Sequence, residues 1–120
     1  MEMRRGQLLR ILIDETDTWS GLPLHTAIVG KAKELGLSGA TVFRGISGFG
    51  SSGRIRGDSF WGHFLTLSYK IPVAIEIVDR TERIETILPF IEEAVLGGLV
   101  TIEEVGLVGA RAELTPVGRS

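Results

Sequence analysis

Two short segments of this chain, residues 7–14 and 73–78, are apolar on both faces when read as strands, and nothing else in the sequence constrains the fold as tightly. In the first, Leu9, Ile11 and Ile13 share one face, while Leu8 and Leu12 flank Arg10 on the other. In the second, Val73, Ile75 and Ile77 oppose Ala74 and Val78. Side chains alternate across a strand, so a sheet centred on these segments needs cover on both sides. An antiparallel sheet with one solvated face would instead alternate apolar with polar.

The segments between them supply the rest of the pattern. A helix opens at Pro23, a residue suited to a first helical turn, and carries Leu24, Ala27, Ile28, Ala32 and Leu35 along one face. Gly36 and Gly39 end it. A strand over residues 40–46 follows, with Thr41, Val42 and Phe43 as β-formers. After the 73–78 strand, Asp79 and Glu82 have capping-box spacing. The second helix then presents Ile84, Ile87, Leu88, Ile91 and Val95, interrupted by Pro89. Gly97 and Gly98 stop it, and residues 99–107 form a last strand. Residues 64–69 read as a further strand extension, and 109–120 as a loose tail on a single domain spanning 1–120.

Strand, helix, strand, long loop, strand, helix, strand is the order of an α+β, ferredoxin-like βαββαβ fold. Its expected sheet order is 4-1-3-2, antiparallel, with both helices on one face. The two doubly apolar strands then lie at the centre with one face bare. The simplest cover is another copy of the chain, so a homo-oligomer is expected.

Composition narrows the chemistry. The chain has no cysteine and only two histidines, His25 and His63, which excludes disulfides, thiol nucleophiles and cysteine-ligated metals. Two histidines 38 residues apart give weak support for a metal site. With a net charge of −2 no global field favours nucleic acid, and no apolar run is long enough to enter a membrane. A cytoplasmic, non-enzymatic protein is expected. Neither Ser47 nor Ser51 has a histidine at triad spacing. Asp14, Glu15 and Asp17 read as turn and cap residues.

Glycine is the residue in excess, and its placement is informative. Residues 45–62 hold six of the sixteen glycines and four serines. So long a connection inside a small domain points to function or disorder. Gly48-Phe49-Gly50-Ser51-Ser52-Gly53 matches G-x-G-x-x-G, but no amphipathic helix follows it, so the dinucleotide fingerprint lacks its context. Val73-Ala-Ile-Glu76 has glutamate where a kinase needs lysine. What remains is a loop flanked by Arg44, Arg54 and Arg56, able to offer cations and backbone amides to a phosphate or carboxylate. The competing reading is a solvated surface loop. Phe60 and Trp61 would pin it to the body, to a neighbouring copy or to a base, and the Arg56-Gly57-Asp58 tripeptide is coincidental.

Arg44-Gly45-Ile46 with Gly48-Phe49-Gly50, the 72–78 strand and Gly97-Gly-Leu-Val-Thr101 resemble the PII-like proteins of domain of unknown function 190, over residues 7–107. Gly-Phe-Gly at the base of a long loop is also similar to the PII signal-transduction proteins. The resemblance implies a homotrimer with sheets facing inward and ligand clefts between subunits. In PII proteins those clefts take adenine nucleotides, and the loop engages a partner. Residue by residue, the resemblance carries over the loop base alone, Gly48, Phe49 and Gly50; Arg44, Arg54 and Arg56, read from the loop's own composition, are the expected ligand-binding cations for an adenine nucleotide or other anionic metabolite. Two departures stand out. Residues 97–103 contain no phosphate-gripping cation, and Arg111 alone stands where PII proteins have paired arginines. No tyrosine lies in residues 51–62. The alternative is a ligand-independent interaction protein whose loop docks on a membrane transporter or enzyme. The CutA divalent-ion proteins share the trimeric fold, but the dearth of cysteine and histidine argues against them.

Overall fold

The computed structural model describes residues 2–46 and 71–109. In chain order these form β1 (Met3–Asp14), β2 (Thr18–Trp19), β3 (Leu22–Pro23), α1 (Leu24–Glu34), β4 (Thr41–Arg44), β5 (Pro72–Asp79), α2 (Thr81–Ala94) and β6 (Leu99–Val108). Four strands make one antiparallel sheet in the order β4-β5-β1-β6, which is the expected 4-1-3-2 arrangement.

The core lies between this sheet and the two helices. Leu9, Ile11 and Ile13 of β1 and Val73, Ile75 and Ile77 of β5 are buried with Leu24, Ile28 and Ala32 of α1 and Ile84, Ile87 and Ile91 of α2. Register makes this set coherent, because Leu9 faces Ile77, Ile11 faces Ile75 and Ile13 faces Val73. Each such cross-strand pair places two branched side chains on the helix side.

On the opposite side no element among the described residues covers the sheet. Leu99, Leu12, Ala74 and Phe43 line up across all four strands, with Leu12 36%, Leu99 49% and Phe43 50% exposed. The next row holds Thr101, Arg10, Glu76 and Thr41, and the one beyond it Glu103, Leu8 and Val78. The central strands are therefore apolar on both faces, apart from the Arg10–Glu76 pair on the bare side. Strand β6 adds exposed Val100 and Ile102 on the helix side, beyond the reach of both helices.

Four local expectations are corrected. First, β1 begins at Met3 rather than Gln7, because Met3 to Gly6 pair with β6 alone; the partner strand overrides weak local propensity. Second, β4 is shorter than residues 40–46 and ends at Arg44. Third, residues 18–23, immediately before the helix, form a hairpin, β2–β3, around Ser20 (φ 49°) and Gly21 (φ 81°). Positive φ at both central residues is the two-residue turn that fits strand twist. Trp19 of that hairpin meets Phe90 of α2 edge-on at 5.4 Å, which fixes it over the helix layer.

The fourth correction concerns Asp79. It is not the helix cap: Arg80 is the cap residue, with no side-chain cap bond. Asp79 ends β5 on the helix side, only 2% exposed, and its carboxylate is turned elsewhere. Helix α1 ends as expected at Gly36 (φ 80°), where Gly36 N–H donates to Lys33 O and Leu37 N–H to Ala32 O. That pair of bonds, with Leu37 and Ala32 both buried, is a Schellman stop.

Candidate functional site

The loop base is built by three strand ends. Gly45 N–H donates to Pro72 O at 2.7 Å, and Glu15 N–H donates to Ile71 O at 2.9 Å. A Cβ on Gly45 would stand 2.7 Å from Pro72 Cγ, so glycine is what lets departing and returning strands close up. Arg44 Nε and Nη2 donate to Glu15 Oε2 at 3.0 and 2.7 Å. Glu15 thus holds both ends of the 46–70 segment, one through its backbone and one through its carboxylate. Its turn is shaped by its neighbours: Asp14 N–H donates to Asp17 Oδ2, and Thr16 N–H and Oγ1–H donate to Asp14 Oδ1. Asp14 and Asp17 are turn residues, as their spacing suggests.

The Arg44 side chain is 64% exposed, and an exposed pair is worth about 1 kcal/mol or less. Glu15→Gln is accordingly expected to leave the melting temperature nearly unchanged. Exchange of the Gly45 amide should still accelerate about two- to fivefold, read by NMR.

A second feature lies on the bare side of the sheet. An open concavity of about 350 Å³ is lined by Ser38, Gly39, Ala40, Thr41, Glu76 and Val78. Its wall is the α1–β4 connection and its floor is β5. Glu76 is held by Arg10, whose Nε and Nη2 lie 3.0 and 2.9 Å from Oε2. Arg10 Nη1 also reaches 3.8 Å from Glu103 Oε1. One guanidinium between two carboxylates leaves the Arg10–Glu76–Glu103 cluster net acidic. Hydroxyls, backbone amides and a carboxylate suit the hydroxyl- and amine-bearing part of a ligand rather than its phosphate.

Of the residues singled out from sequence, Arg44 is described, and it points to the helix side with Glu15, away from the concavity. Gly48, Phe49, Gly50, Arg54 and Arg56 lie outside the described residues, as do Ser47, Ser51, Phe60, Trp61, His63, Arg111, the 64–69 strand and nearly all of the 109–120 tail. His25 is half-buried in the first turn of α1. No group of three metal-ligating side chains occurs among the described residues. Glu76, Thr41 and Glu15 were not singled out as site residues from sequence. A signal for Glu76 was present: Arg10 and Glu76 are the lone charges within the apolar runs 8–13 and 73–78, and antiparallel pairing of those strands sets them opposite each other.

Residues 6–107 match the family model DUF190, described as uncharacterized ACR. The chain belongs to that family. A UPF0166 protein of Aquifex aeolicus (strain VF5) is 36% identical over 108 residues, covering 90% of this chain and 98% of the relative. In fold, this DUF190 chain is similar to a Thermus thermophilus protein described as PII-like (TM-score 0.59, 19% identity, 90% and 94% coverage). It is also similar to CPII from Thiomonas intermedia K12, solved bound to ADP, AMP and acetate (TM-score 0.56, 17% identity, 95% and 98% coverage). The fold is PII-like. No helix among the described residues is long and apolar enough to cross a membrane.

Proposed function

We propose that this protein is a PII-like, non-enzymatic sensor that binds an anionic metabolite or adenine nucleotide in clefts between the copies of a cytoplasmic homotrimer. The observation that carries the reading is the concavity of Ser38, Thr41 and Glu76 beside an uncovered, apolar-banded sheet face. A copy packed on that face would close the concavity into a cleft. Glu76 accepts hydrogen bonds from a base amine or sugar hydroxyl, and Thr41 offers its hydroxyl. The phosphates would lie toward the glycine-rich loop, where the amides of Gly48, Phe49 and Gly50 and the guanidinia of Arg54 and Arg56 supply positive charge. Arg44 joins them once it leaves Glu15. CPII, similar in fold, is solved with ADP, AMP and bicarbonate, and these make the first panel of candidates. Loop order would change on binding by differential affinity for two loop states, presenting 45–62 to a transporter or enzyme.

Calorimetric titration with ADP, AMP, ATP and bicarbonate tests the reading. Saturable binding of at least one, with slower amide exchange at residues 45–62, is expected. No binding across the panel, with unchanged exchange, overturns it. A second reading, ligand-independent docking through the loop, is favoured by the pairing of Arg44 with Glu15 rather than with an open anion site. Partner capture that persists after Arg54→Ala and Arg56→Ala and ignores added nucleotide would select it.

A further inference from the structure

The β5–α2 corner holds the α1–β4 connection by two opposite charges. Asp79 Oδ2 accepts from Ser38 N–H at 2.8 Å and from Ser38 Oγ–H at 3.1 Å, while Oδ1 accepts from Arg80 N–H at 2.7 Å. One turn on, Arg83 Nη1 donates to Gly36 O at 2.6 Å, and its Nε lies 3.8 Å from Asp79 Oδ1. A buried carboxylate that accepts several backbone and hydroxyl donors is a rigid fixture, because each donor would be left unpaired if it moved.

What this fixture holds is the wall of the concavity. Ser38 begins the run Ser38-Gly39-Ala40-Thr41 that lines it, and Glu76 and Val78, on the same strand as Asp79, form its floor. Alternation along β5 therefore sends Glu76 and Val78 to the open side and Asp79 to the helix side. One strand sets both floor and wall. Gly39 has no neighbour within 4 Å of an added Cβ, so packing does not hold the wall there.

We propose that Asp79 is a positioning residue for ligand binding, acting through Ser38 to hold the 38–41 wall at a fixed distance from Glu76. The proposal rests on the reading that the concavity receives the ligand. Asp79→Asn keeps the shape but turns an amide donor toward a donor, and Ser38→Ala removes only the hydroxyl bond. The comparison variant is Ile91→Ala, a core truncation in α2 at a residue that does not line the concavity.

The experiment measures melting temperature and ADP affinity for all four proteins, each shown folded by its amide spectrum. Asp79→Asn is expected to bind ADP about tenfold more weakly and Ser38→Ala a fewfold more weakly. Ile91→Ala should melt lower yet bind as the wild type does. Lower melting without any affinity change in the Asp79 and Ser38 variants would overturn the proposal. Should Asp79→Asn fail to fold, Ser38→Ala carries the test. If the wild-type chain binds none of ADP, AMP, ATP and bicarbonate, the functional reading falls, and the clamp is judged by exchange of the 38–41 amides. Acceleration confined to the Asp79 and Ser38 variants supports it, and unchanged exchange overturns it.

Discussion

Leu12→Glu is expected to give a folded chain that sediments as a monomer. Leu12 sits in the middle of the band formed by Leu99, Leu12, Ala74 and Phe43, roughly 14 Å across at the usual strand spacing. In an isolated subunit the new carboxylate stays hydrated, and a substitution at so exposed a position costs within about 1 kcal/mol. In an assembly with the sheets facing inward it would be buried against apolar side chains of a second copy. Each uncompensated charge there costs several kcal/mol, and the cost repeats in every subunit. Sedimentation velocity on wild type and variant, with far-ultraviolet circular dichroism as the folding control, reads the outcome. An undiminished oligomer in the variant would mean that copies meet elsewhere.

Gly98→Ala should unfold the protein far more readily, by about 2–4 kcal/mol. A Cβ there would lie 2.4 Å from Leu12 O, 3.0 Å from Ile13 Cγ2 and 3.1 Å from Val95 Cγ1. The nearest atom is backbone, and Leu12 is paired on both sides, with Ala74 and Leu99, so it cannot yield. Gly30→Ala is the opposite case. Gly30 is exposed within α1 and nothing lies within 4 Å of an added Cβ, so alanine should stabilise by about 0.5–1 kcal/mol through helix preference alone. Thermal unfolding of the two variants beside wild type checks both signs; equal melting temperatures would contradict this account of the α2–β6 connection.

The sheet order and the buried layer were legible because they depend on period and order alone. Leu9, Ile11, Ile13, Val73, Ile75 and Ile77 fall on one face by alternation, and Ile84, Ile87 and Ile91 by helical spacing. The bare face was legible for the same reason, since Leu8, Leu12, Ala74 and Val78 lie on the face that the two helices do not cover. Asp79 was misread because its spacing to Glu82 satisfies a local motif, whereas its partner, Ser38, is 41 residues away. Glu15 was likewise read only as a turn residue, its partner Arg44 being 29 residues distant. Side-chain bonds across such separations follow from tertiary register, which local pattern does not carry. The β2–β3 hairpin was hidden by its two-residue strands, too short for any period to show.

The most direct test of the central claim is a side-by-side calorimetric titration of the assembled wild-type chain and its folded Leu12→Glu monomer with ADP. If the ligand cleft is made by two copies meeting over the Ser38–Thr41–Glu76 concavity, the assembled chain binds ADP and the monomer loses at least tenfold in affinity, about 1.4 kcal/mol. No heat from the assembled chain, or equal affinity in both, would contradict it.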